Sequence, residues 1–177
     1  LPDSTFSLGV KKVETPEELD NEIKRLLELS DMILAQQYMY TDFDWRIGIL
    51  DGKPIFACKY FMAKGHWQIY NWKARLKKEQ SGDFECVAVE QVPYEVINTA
   101  LKAVSLVYGK GFFGVDIKEV DNKPYVIEVN DNPNVDFGIE DVILKDDLYL
   151  TIIRALKNRI EEKTGTFNGN KTEIQVV

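Results

Sequence analysis

The chain has 177 residues, of which 45% are hydrophobic and 29% are charged, and its formal net charge is −7. This size suits one domain with a real core or two small lobes, and the acidic balance argues against nucleic acid as the main partner. The single histidine, His66, excludes zinc sites built from several histidines. No apolar run is long enough to span a membrane and no signal peptide is recognisable, so we expect no membrane partner.

The two cysteines, Cys58 and Cys86, are too few for a disulfide framework, and neither has a partner motif. Cys58 lies among apolar residues and is predicted to be a small buried hydrophobic residue. This cysteine usage favours a reducing, cytoplasmic location. The chain opens at Leu1 in a loop-like stretch, which predicts a piece of a longer protein.

The first residues form a loop pattern that contains Ser4, Ser7 and Gly9. Free backbone amides and hydroxyls in such a loop can hold phosphate oxygens, although an ordinary surface loop has the same composition. The stretch 15–18, Thr-Pro-Glu-Glu, predicts a helix with Thr15 as its N-cap and a capping box. Its expected buried stripe is Leu19, Ile23, Leu26 and Leu27. A mostly buried strand is predicted over residues 32–39.

Residues 44–62 predict a hairpin around Asp51-Gly52, a strong signal for a two-residue turn. An unbroken register places Asp44 opposite Lys59 and Arg46 opposite Ala57. The large apolar side chains then share the other face: Trp45, Ile47, Ile49, Phe56, Cys58, Tyr60 and Met62. The charged side chains form either an exposed ion pair of little energetic value or a face that meets anionic oxygens.

The middle of the chain predicts a return of the sheet over 66–71, a basic connection over 72–83 and a short strand over 84–89. A helix over 93–108 follows, with Gly109 as its C-cap. The glycine pattern at 109–114 follows a helix and opens a strand, which excludes a dinucleotide-binding fingerprint. The chain ends in an amphipathic helix over 146–163 and a polar tail from Gly165.

A second hairpin is predicted over residues 111–130, where both arms alternate with a period of two. A three-residue loop, 121–123, places Asp116 opposite Glu128 and gathers the apolar rows on the other face. Asp116, Glu128 and Asn130 then form one patch of oxygen ligands, which suits Mg²⁺ or Mn²⁺ with phosphates completing the shell. The alternative is the solvated outer face of an ordinary hairpin.

Taken in chain order, these motifs resemble the ATP-grasp superfamily and, within it, the RimK-like carboxylate–amine ligases. The stretch 4–10 resembles the loop that covers phosphates, and 36–39, Gln-Gln-Tyr-Met, resembles the hinge that holds adenine. Residues 44–46, Asp-Trp-Arg, resemble the D-x-R strand of the family. Asp116, Glu128 and Asn130 stand where the family keeps its metal ligands. The hinge carries Gln37 where glutamate is usual, and the strand that precedes the phosphate loop is absent.

The resemblance implies an α+β fold of the ATP-grasp type, with an antiparallel sheet and helices packed on one face. Residues 1–40 would be the remnant of a smaller α+β nucleotide-binding lobe, 41–164 the C-terminal lobe with the metal site, and 165–177 a tail. It also implies ligation of a carboxylate and an amine through an acyl phosphate, with glutamate addition as the typical case. A kinase-like phosphotransferase and a non-catalytic nucleotide- or metal-binding module remain as alternatives.

The resemblance further assigns site residues and partners. ATP and two Mg²⁺ or Mn²⁺ ions are the expected cofactors, with Arg46 and Lys59 as catalytic cations. Asp44, Asn71, Gln37 and Tyr38 would contact the nucleotide, together with the loop residues Ser4, Ser7 and Gly9. The expected partners are small-molecule carboxylates and amines, peptide or protein acceptors included. The oligomeric state stays open, dimerisation included, and the isolated piece is expected to be inactive.

Overall fold

The computed structural model describes residues 9–107 and 110–165. Five strands form one sheet: β1 (Phe43–Leu50), β2 (Lys53–Phe61), β3 (Phe84–Val87), β4 (Phe112–Val120) and β5 (Lys123–Asn130). All neighbours are antiparallel in the order β3-β2-β1-β4-β5. Three α-helices accompany it: α1 (Pro16–Leu27), α2 (Tyr94–Val107) and α3 (Asp146–Thr164). The predicted α+β class is confirmed.

The main core lies between α2 and one face of the sheet. Period-two alternation along β1 and β4 turns apolar side chains to that face, while α2 contributes Val96, Ala100 and Val104 at helical spacing. The strand residues of this core are all buried: Trp45, Ile47, Ile49, Ala57, Phe113, Val115 and Ile117. The same alternation directs Asp44 and Arg46 of β1 and Asp116 of β4 to the opposite face, whereas Glu119 of β4 stays on the α2 side, where it accepts a hydrogen bond from Trp45 Nε1 at 3.0 Å.

The opposite face is apolar only at one end, where α3 covers it. Leu148 and Ile152 of α3 pack against Leu50, Phe56 and Cys58. The helix thus lies across the sheet from α2, whereas the sequence predicted that the helices share one face. The remainder of this face carries Asp44, Arg46, Asp116, Glu128 and Asn130. The whole side of the sheet opposite α2 is called the cleft face below.

Each of the two hairpins combines a two-residue turn with a β-bulge in its second strand. Asp51 and Gly52 have φ values of 50° and 76°, and Asp121 and Asn122 have 52° and 60°. Positive φ at both central positions is the type I′ geometry that matches the twist of a hairpin. Beyond each turn the register shifts by one residue, which a bulge accomplishes by placing two residues opposite one.

The bulge in β2 overturns the predicted register of the first hairpin. Gly48 pairs with Phe56 and Ile49 with Pro54, so Ile55 is the extra residue. Arg46 therefore faces Cys58, and Asp44 faces Tyr60. The bulge seats the Phe56 ring over Gly48, where a Cβ atom would lie only 2.2 Å from the ring.

The bulged register also changes which side chains share a face. Cys58 and Tyr60 move to the cleft face, because each opposes a residue of that face. Trp45 pairs with Lys59, which places Lys59 on the α2 side of the sheet. The Asp51-Gly52 turn signal predicts a strand pairing without a bulge, so it cannot reveal that these side chains change face.

In the second hairpin the predicted pairing is right, although the predicted loop is wrong. Val120 pairs with Lys123, so the turn has two residues rather than three. Asp116 pairs with Glu128 and Ile117 with Val126, which leaves Ile127 as the extra residue. The bulge supplies the one-residue offset that we had assigned to the loop. One consequence is that Tyr125, expected on the apolar face, pairs with Lys118.

The segment before the sheet departs most from the predictions. Thr15 does cap α1, since its Oγ1 accepts a hydrogen bond from the Glu18 amide at 3.2 Å. No residue of α1 is buried, however, so the predicted buried stripe is wrong within the described chain. Residues 32–39 form no strand, and Met32 and Leu34 are 66% and 73% exposed.

The two cysteines are paired. Cys58 of β2 opposes Cys86 of β3, and their sulfurs form a disulfide with a bond length of 2.13 Å. The expectation of unpaired cysteines is therefore wrong, and the argument for a reducing compartment that rested on it no longer holds. The sequence does not reveal this disulfide, because the pattern of the hairpin gives no indication of which residue of β3 lies opposite Cys58.

Within residues 9–107 and 110–165, no helix has the length and apolar character that crossing a membrane requires.

Candidate active site

The centre of the cleft face is an ion pair between neighbouring strands. Arg46 of β1 and Asp116 of β4 are register partners. Arg46 Nε donates to Asp116 Oδ1 at 2.8 Å and Nη2 donates to Oδ2 at 2.8 Å, a bidentate geometry. The two side chains retain 20% and 18% of their exposure. Burial lowers the pKa of Arg46, but the hydrogen bonds and charge of Asp116 outweigh it and leave that pKa raised.

Glu128 and Asn130 adjoin Asp116, as predicted from the alternation of β5. Glu128 pairs with Asp116 across the strands, and Asn130 pairs with Gly114. Asn130 Nδ2 lies 3.5 Å from Asp116 Oδ2. Loss of hydration raises the pKa of Glu128, and the negative charge of Asp116 raises it further. The predicted grouping of these three residues on one face is confirmed, whereas their role as metal ligands stays a prediction.

The donor set fits a hard divalent cation. Two carboxylates and one amide supply the oxygen ligands that Mg²⁺ and Mn²⁺ prefer, and phosphate oxygens commonly complete such a shell. Burial is the main cause of the raised pKa of Glu128 and the negative charge of Asp116 is the second, and a cation bound between the two carboxylates would offset both. Among the described residues, no group of three or more His, Cys, Asp or Glu side chains is arranged for metal binding. A site at this place therefore depends on Asn130 and on the ligand's own oxygens.

Asp44 lies at the other end of the cleft face and is bound by a lysine that sequence reasoning did not single out. Lys118 Nζ lies 2.6 Å from Asp44 Oδ1 and donates to Thr41 Oγ1 at 2.8 Å. Thr41 also donates to Asp44 at 2.9 Å. Burial raises the pKa of Asp44, partly opposed by Lys118. The sequence could have predicted the place of Lys118, because it lies two residues from Asp116 on the same strand and therefore shares the face of Asp116.

Two further contacts of Arg46 were missed at the sequence level. Its Nη1 donates to Asn134 Oδ1 at 3.1 Å, and its Cζ lies 5.3 Å from the centroid of the Tyr60 ring. Asn134 belongs to the loop after β5, whose Pro133 packs on Gly114 so closely that a Cβ at that glycine would lie 2.8 Å from it. Tyr60 was assigned to the wrong face by the unbroken register.

Lys59, predicted beside Arg46, is not on the cleft face. Its Nζ lies 3.0 Å from Glu85 Oε2 and 5.4 Å from the ring centroids of Phe43 and Trp45. These neighbours belong to the α2 side and to the edge strand, because Lys59 opposes Trp45. The prediction that Lys59 shares a face with Asp44 and Arg46 is therefore wrong.

The remaining predicted contacts lie outside the sheet. Asn71 sits in the connection between β2 and β3, where its Oδ1 accepts from the Lys73 amide at 3.2 Å. Gln37 is exposed, and Tyr38 packs edge-on against Trp67 with ring centroids 6.0 Å apart. Gly9 is exposed with φ of 84°. Ser4 and Ser7 lie outside the described residues.

Comparison with known proteins identifies the family. The family described as "D-ala D-ala ligase C-terminus" matches residues 3–136. A D-alanine–D-alanine ligase of Haemophilus ducreyi is 26% identical over 130 residues, which are 73% of this chain and 42% of the relative. A probable alpha-L-glutamate ligase of Halorhodospira halophila is 30% identical over 168 residues, which are 94% of this chain and 52% of the relative.

The fold is also that of a solved ligase. The structure of the D-alanine–D-alanine ligase from Bacillus anthracis complexed with ATP aligns with a TM-score of 0.61 and 23% identity, and the alignment covers 88% of this chain and 53% of that one. The chain spans about half the length of the curated relatives it matches. The family match covers most of the chain and agrees with the resemblance seen in its motifs. The chain belongs to the ATP-grasp carboxylate–amine ligases, in the family of the D-alanine–D-alanine ligase C-terminal domain.

Proposed function

We propose that this chain supplies the metal- and phosphate-binding half of an ATP-dependent carboxylate–amine ligase. In the reaction, the γ-phosphoryl group of ATP passes to a substrate carboxylate with release of ADP, and an amine then displaces phosphate to form an amide. The observation that carries the proposal is the juxtaposition of Arg46, Asp116 and Glu128 on the cleft face. Phosphoryl transfer needs positioning and charge neutralisation more than a protein nucleophile, and this face offers both.

Asp116, Glu128 and Asn130 would hold one or two Mg²⁺ or Mn²⁺ ions. Bound there, the metal would neutralise charge on the phosphate oxygens and orient them. The protein's contribution is a rigid arrangement, since the three side chains project from adjacent paired strands. A site built on strands holds its geometry better than one on loops.

Arg46 would stabilise negative charge that develops on the transferred phosphoryl group or the acyl phosphate. Its guanidinium is part-buried and already oriented by Asp116, so little rearrangement is needed when an anion arrives. Asp44 and Lys118 would border the nucleotide on the same face. We retain Gly9 with Ser4 and Ser7 as the phosphate loop, and Gln37, Tyr38 and Asn71 as nucleotide contacts. Lys59 is given no part, because it faces the α2 side.

The names of the relatives favour amino-acid substrates. The Halorhodospira halophila relative is a probable alpha-L-glutamate ligase and the Haemophilus ducreyi relative is a D-alanine–D-alanine ligase. Both names describe amide formation with an amino acid, so the proposed substrates are a carboxylate and an amino-acid amine, with glutamate as the first choice. The ATP in the Bacillus anthracis complex, which has the same fold, supports ATP as the phosphoryl donor.

The test is an activity screen of the full-length parent protein with ATP, Mg²⁺ and mixtures of amino acids, analysed by mass spectrometry. We expect ADP formation that depends on an added amino acid, together with a product whose mass equals the sum of both substrates less one water. A phosphorylated product without an amide would favour a kinase. Nucleotide binding without turnover would favour a binding module, and either outcome would reject the ligase.

A further inference from the structure

The loop of residues 131–140 leaves β5 and folds back over the cleft face, where it ends on a buried acid, Glu140. We propose that Glu140 is a positioning residue for Arg46, acting through the Tyr60 ring and through this loop. The catalytic consequence rests on the proposed function, whereas the effect on the Arg46 side chain does not.

Glu140 is 1% exposed and pairs with no lysine or arginine among the described residues. It is bound instead by two neutral donors. The Tyr60 hydroxyl donates to Oε1, and the Asp136 amide donates to Oε2 at 2.7 Å. A carboxylate taken out of water without a paired cation is costly, and a fold keeps it only when other contacts compensate. The two donors come from β2 and from the loop, so Glu140 ties these elements together.

Tyr60 transmits this restraint to Arg46. Its ring centroid lies 5.3 Å from Arg46 Cζ, within the range of a cation–π contact. With its hydroxyl fixed on Glu140, the ring is held against the guanidinium. Burial raises the pKa of Tyr60 and the adjacent Glu140 raises it further, so the hydroxyl remains a hydrogen-bond donor.

The loop provides a second route from Glu140 to Arg46. Arg46 Nη1 donates to Asn134 Oδ1 at 3.1 Å, and Asn134 Nδ2 donates to Asp136 Oδ2 at 2.6 Å. The Asp136 amide in turn donates to Glu140. The contacts thus form a closed ring that starts and ends at Arg46 and passes through Asn134, Asp136, Glu140 and Tyr60.

This ring matters most when Asp116 binds something else. Both oxygens of Asp116 accept hydrogen bonds from Arg46, and a cation on this carboxylate would draw electron density from the same oxygens and weaken those bonds. Arg46 would then depend more on Asn134 and on the Tyr60 ring for its position. Removing the Glu140–Tyr60 contact should therefore disturb Arg46 more in the presence of Mg²⁺ than in its absence.

The experiment compares Tyr60→Phe, Glu140→Gln and their double variant with the unchanged chain. Tyr60→Phe keeps the ring and removes only the hydroxyl. Tyr149→Phe is the matched control, since the Tyr149 hydroxyl donates to Asp141 at 3.1 Å, another buried acid of the same region, without touching Arg46. The readout is the NMR signal of the Arg46 side-chain Nε–H group, assigned by its loss in Arg46→Lys, with and without Mg²⁺.

We expect Tyr60→Phe and Glu140→Gln to broaden or shift the Arg46 signal, and more strongly with Mg²⁺. The double variant should disturb the Arg46 signal at least as strongly as either single variant, because Tyr60→Phe removes the Tyr60–Glu140 contact and Glu140→Gln leaves a single acceptor oxygen for the donors from Tyr60 and Asp136. In the full-length parent, kcat should fall roughly tenfold to a hundredfold, the scale of a misplaced catalytic group, with little change in KM for ATP. Tyr149→Phe should change neither readout.

An Arg46 signal unchanged by both Tyr60→Phe and Glu140→Gln would overturn the positioning role, and so would equal effects of Tyr149→Phe. If the unchanged parent makes no amide, the ligase proposal fails alone, because the Arg46 signal still tests the positioning role.

Discussion

Asp116 and Glu128 face one another across β4 and β5 because Ile127 is bulged out of the ladder between them and the turn. Without that bulge, a two-residue turn would place Glu128 and Asn130 on the α2 side, among apolar residues. A single extra residue therefore decides whether this hairpin has a metal-binding face. The placement of both acids beside one arginine is the basis of the first prediction.

Glu128→Gln should abolish turnover in the intact parent while leaving the fold in place. The variant removes one proposed ligand charge, and it also removes the burial of a charged group and the repulsion from Asp116, which together raise the pKa of Glu128. We therefore expect a melting temperature equal to or above that of the unchanged protein. Glu85→Gln is the control, because Glu85 lies on the edge strand and pairs with Lys59. Full activity of Glu128→Gln would reject the metal assignment, and a large loss of melting temperature would indicate a structural role.

The bulged register predicts opposite outcomes for the two cations first proposed as catalytic. Lys59→Met should leave turnover unchanged and shift the free energy of unfolding by less than about 1 kcal/mol, the scale of a partly exposed ion pair. Arg46→Lys should lower kcat by roughly a hundredfold, because lysine cannot reproduce a bidentate arrangement. Steady-state kinetics and denaturant unfolding of both variants provide the measurement. A strong kinetic defect in Lys59→Met would contradict the observed register.

How much of this site is predictable depends on alternation and on bulges. Alternation along β4 and β5 was enough to place Asp116, Glu128 and Asn130 on one face, since all large apolar groups had to lie on the other. The bulges at Ile55 and Ile127 were not predictable, because they depend on how Phe56 and other side chains seat against neighbouring strands. In the second hairpin, leaving out the bulge at Ile127 was offset by the wrong loop length. In the first hairpin, leaving out the bulge at Ile55 put Lys59 and Tyr60 on the wrong faces.

The buried stripe of α1 illustrates a second limit. Apolar spacing predicts that a face will be covered, but not that the covering partner belongs to the described residues. Leu19 and Leu27 are 40% and 49% exposed, although the N-cap that starts their helix is formed as predicted. Local signals such as this N-cap and the Asp51-Gly52 turn are thus recovered, whereas contacts between distant parts of the chain are not.

The pH dependence of stability should report on Asp44. Burial raises the pKa of Asp44 above its ordinary value of 3.8, so the folded chain holds this proton more tightly than the unfolded chain. The contribution of Asp44 to the free energy of unfolding must then fall as the pH rises from about the ordinary value through the folded pKa. We expect the difference in unfolding free energy between the unchanged chain and Asp44→Asn to decrease over that range.

Asp42→Asn is the control for this measurement, because Asp42 is an exposed neighbour that accepts a hydrogen bond from the Tyr40 hydroxyl at the surface. Urea unfolding at several acidic pH values gives the required free energies. A difference that grows with pH would show that Lys118 dominates over burial and that the pKa of Asp44 is lowered.

The Cys58–Cys86 bridge should contribute substantially to stability. It joins β2 to the short edge strand β3 and closes a loop with a sequence separation of 28 residues. By the entropy of loop closure, reduction should cost about 3 to 4 kcal/mol of unfolding free energy. Guanidinium unfolding with and without a thiol reductant measures this loss, and the double variant Cys58→Ala with Cys86→Ala should be insensitive to the reductant. Thiol titration supplies the decisive check: two reactive thiols in the unfolded but unreduced protein would mean that the bridge does not form, and the stability attributed to it would have to come from packing of Cys58 alone.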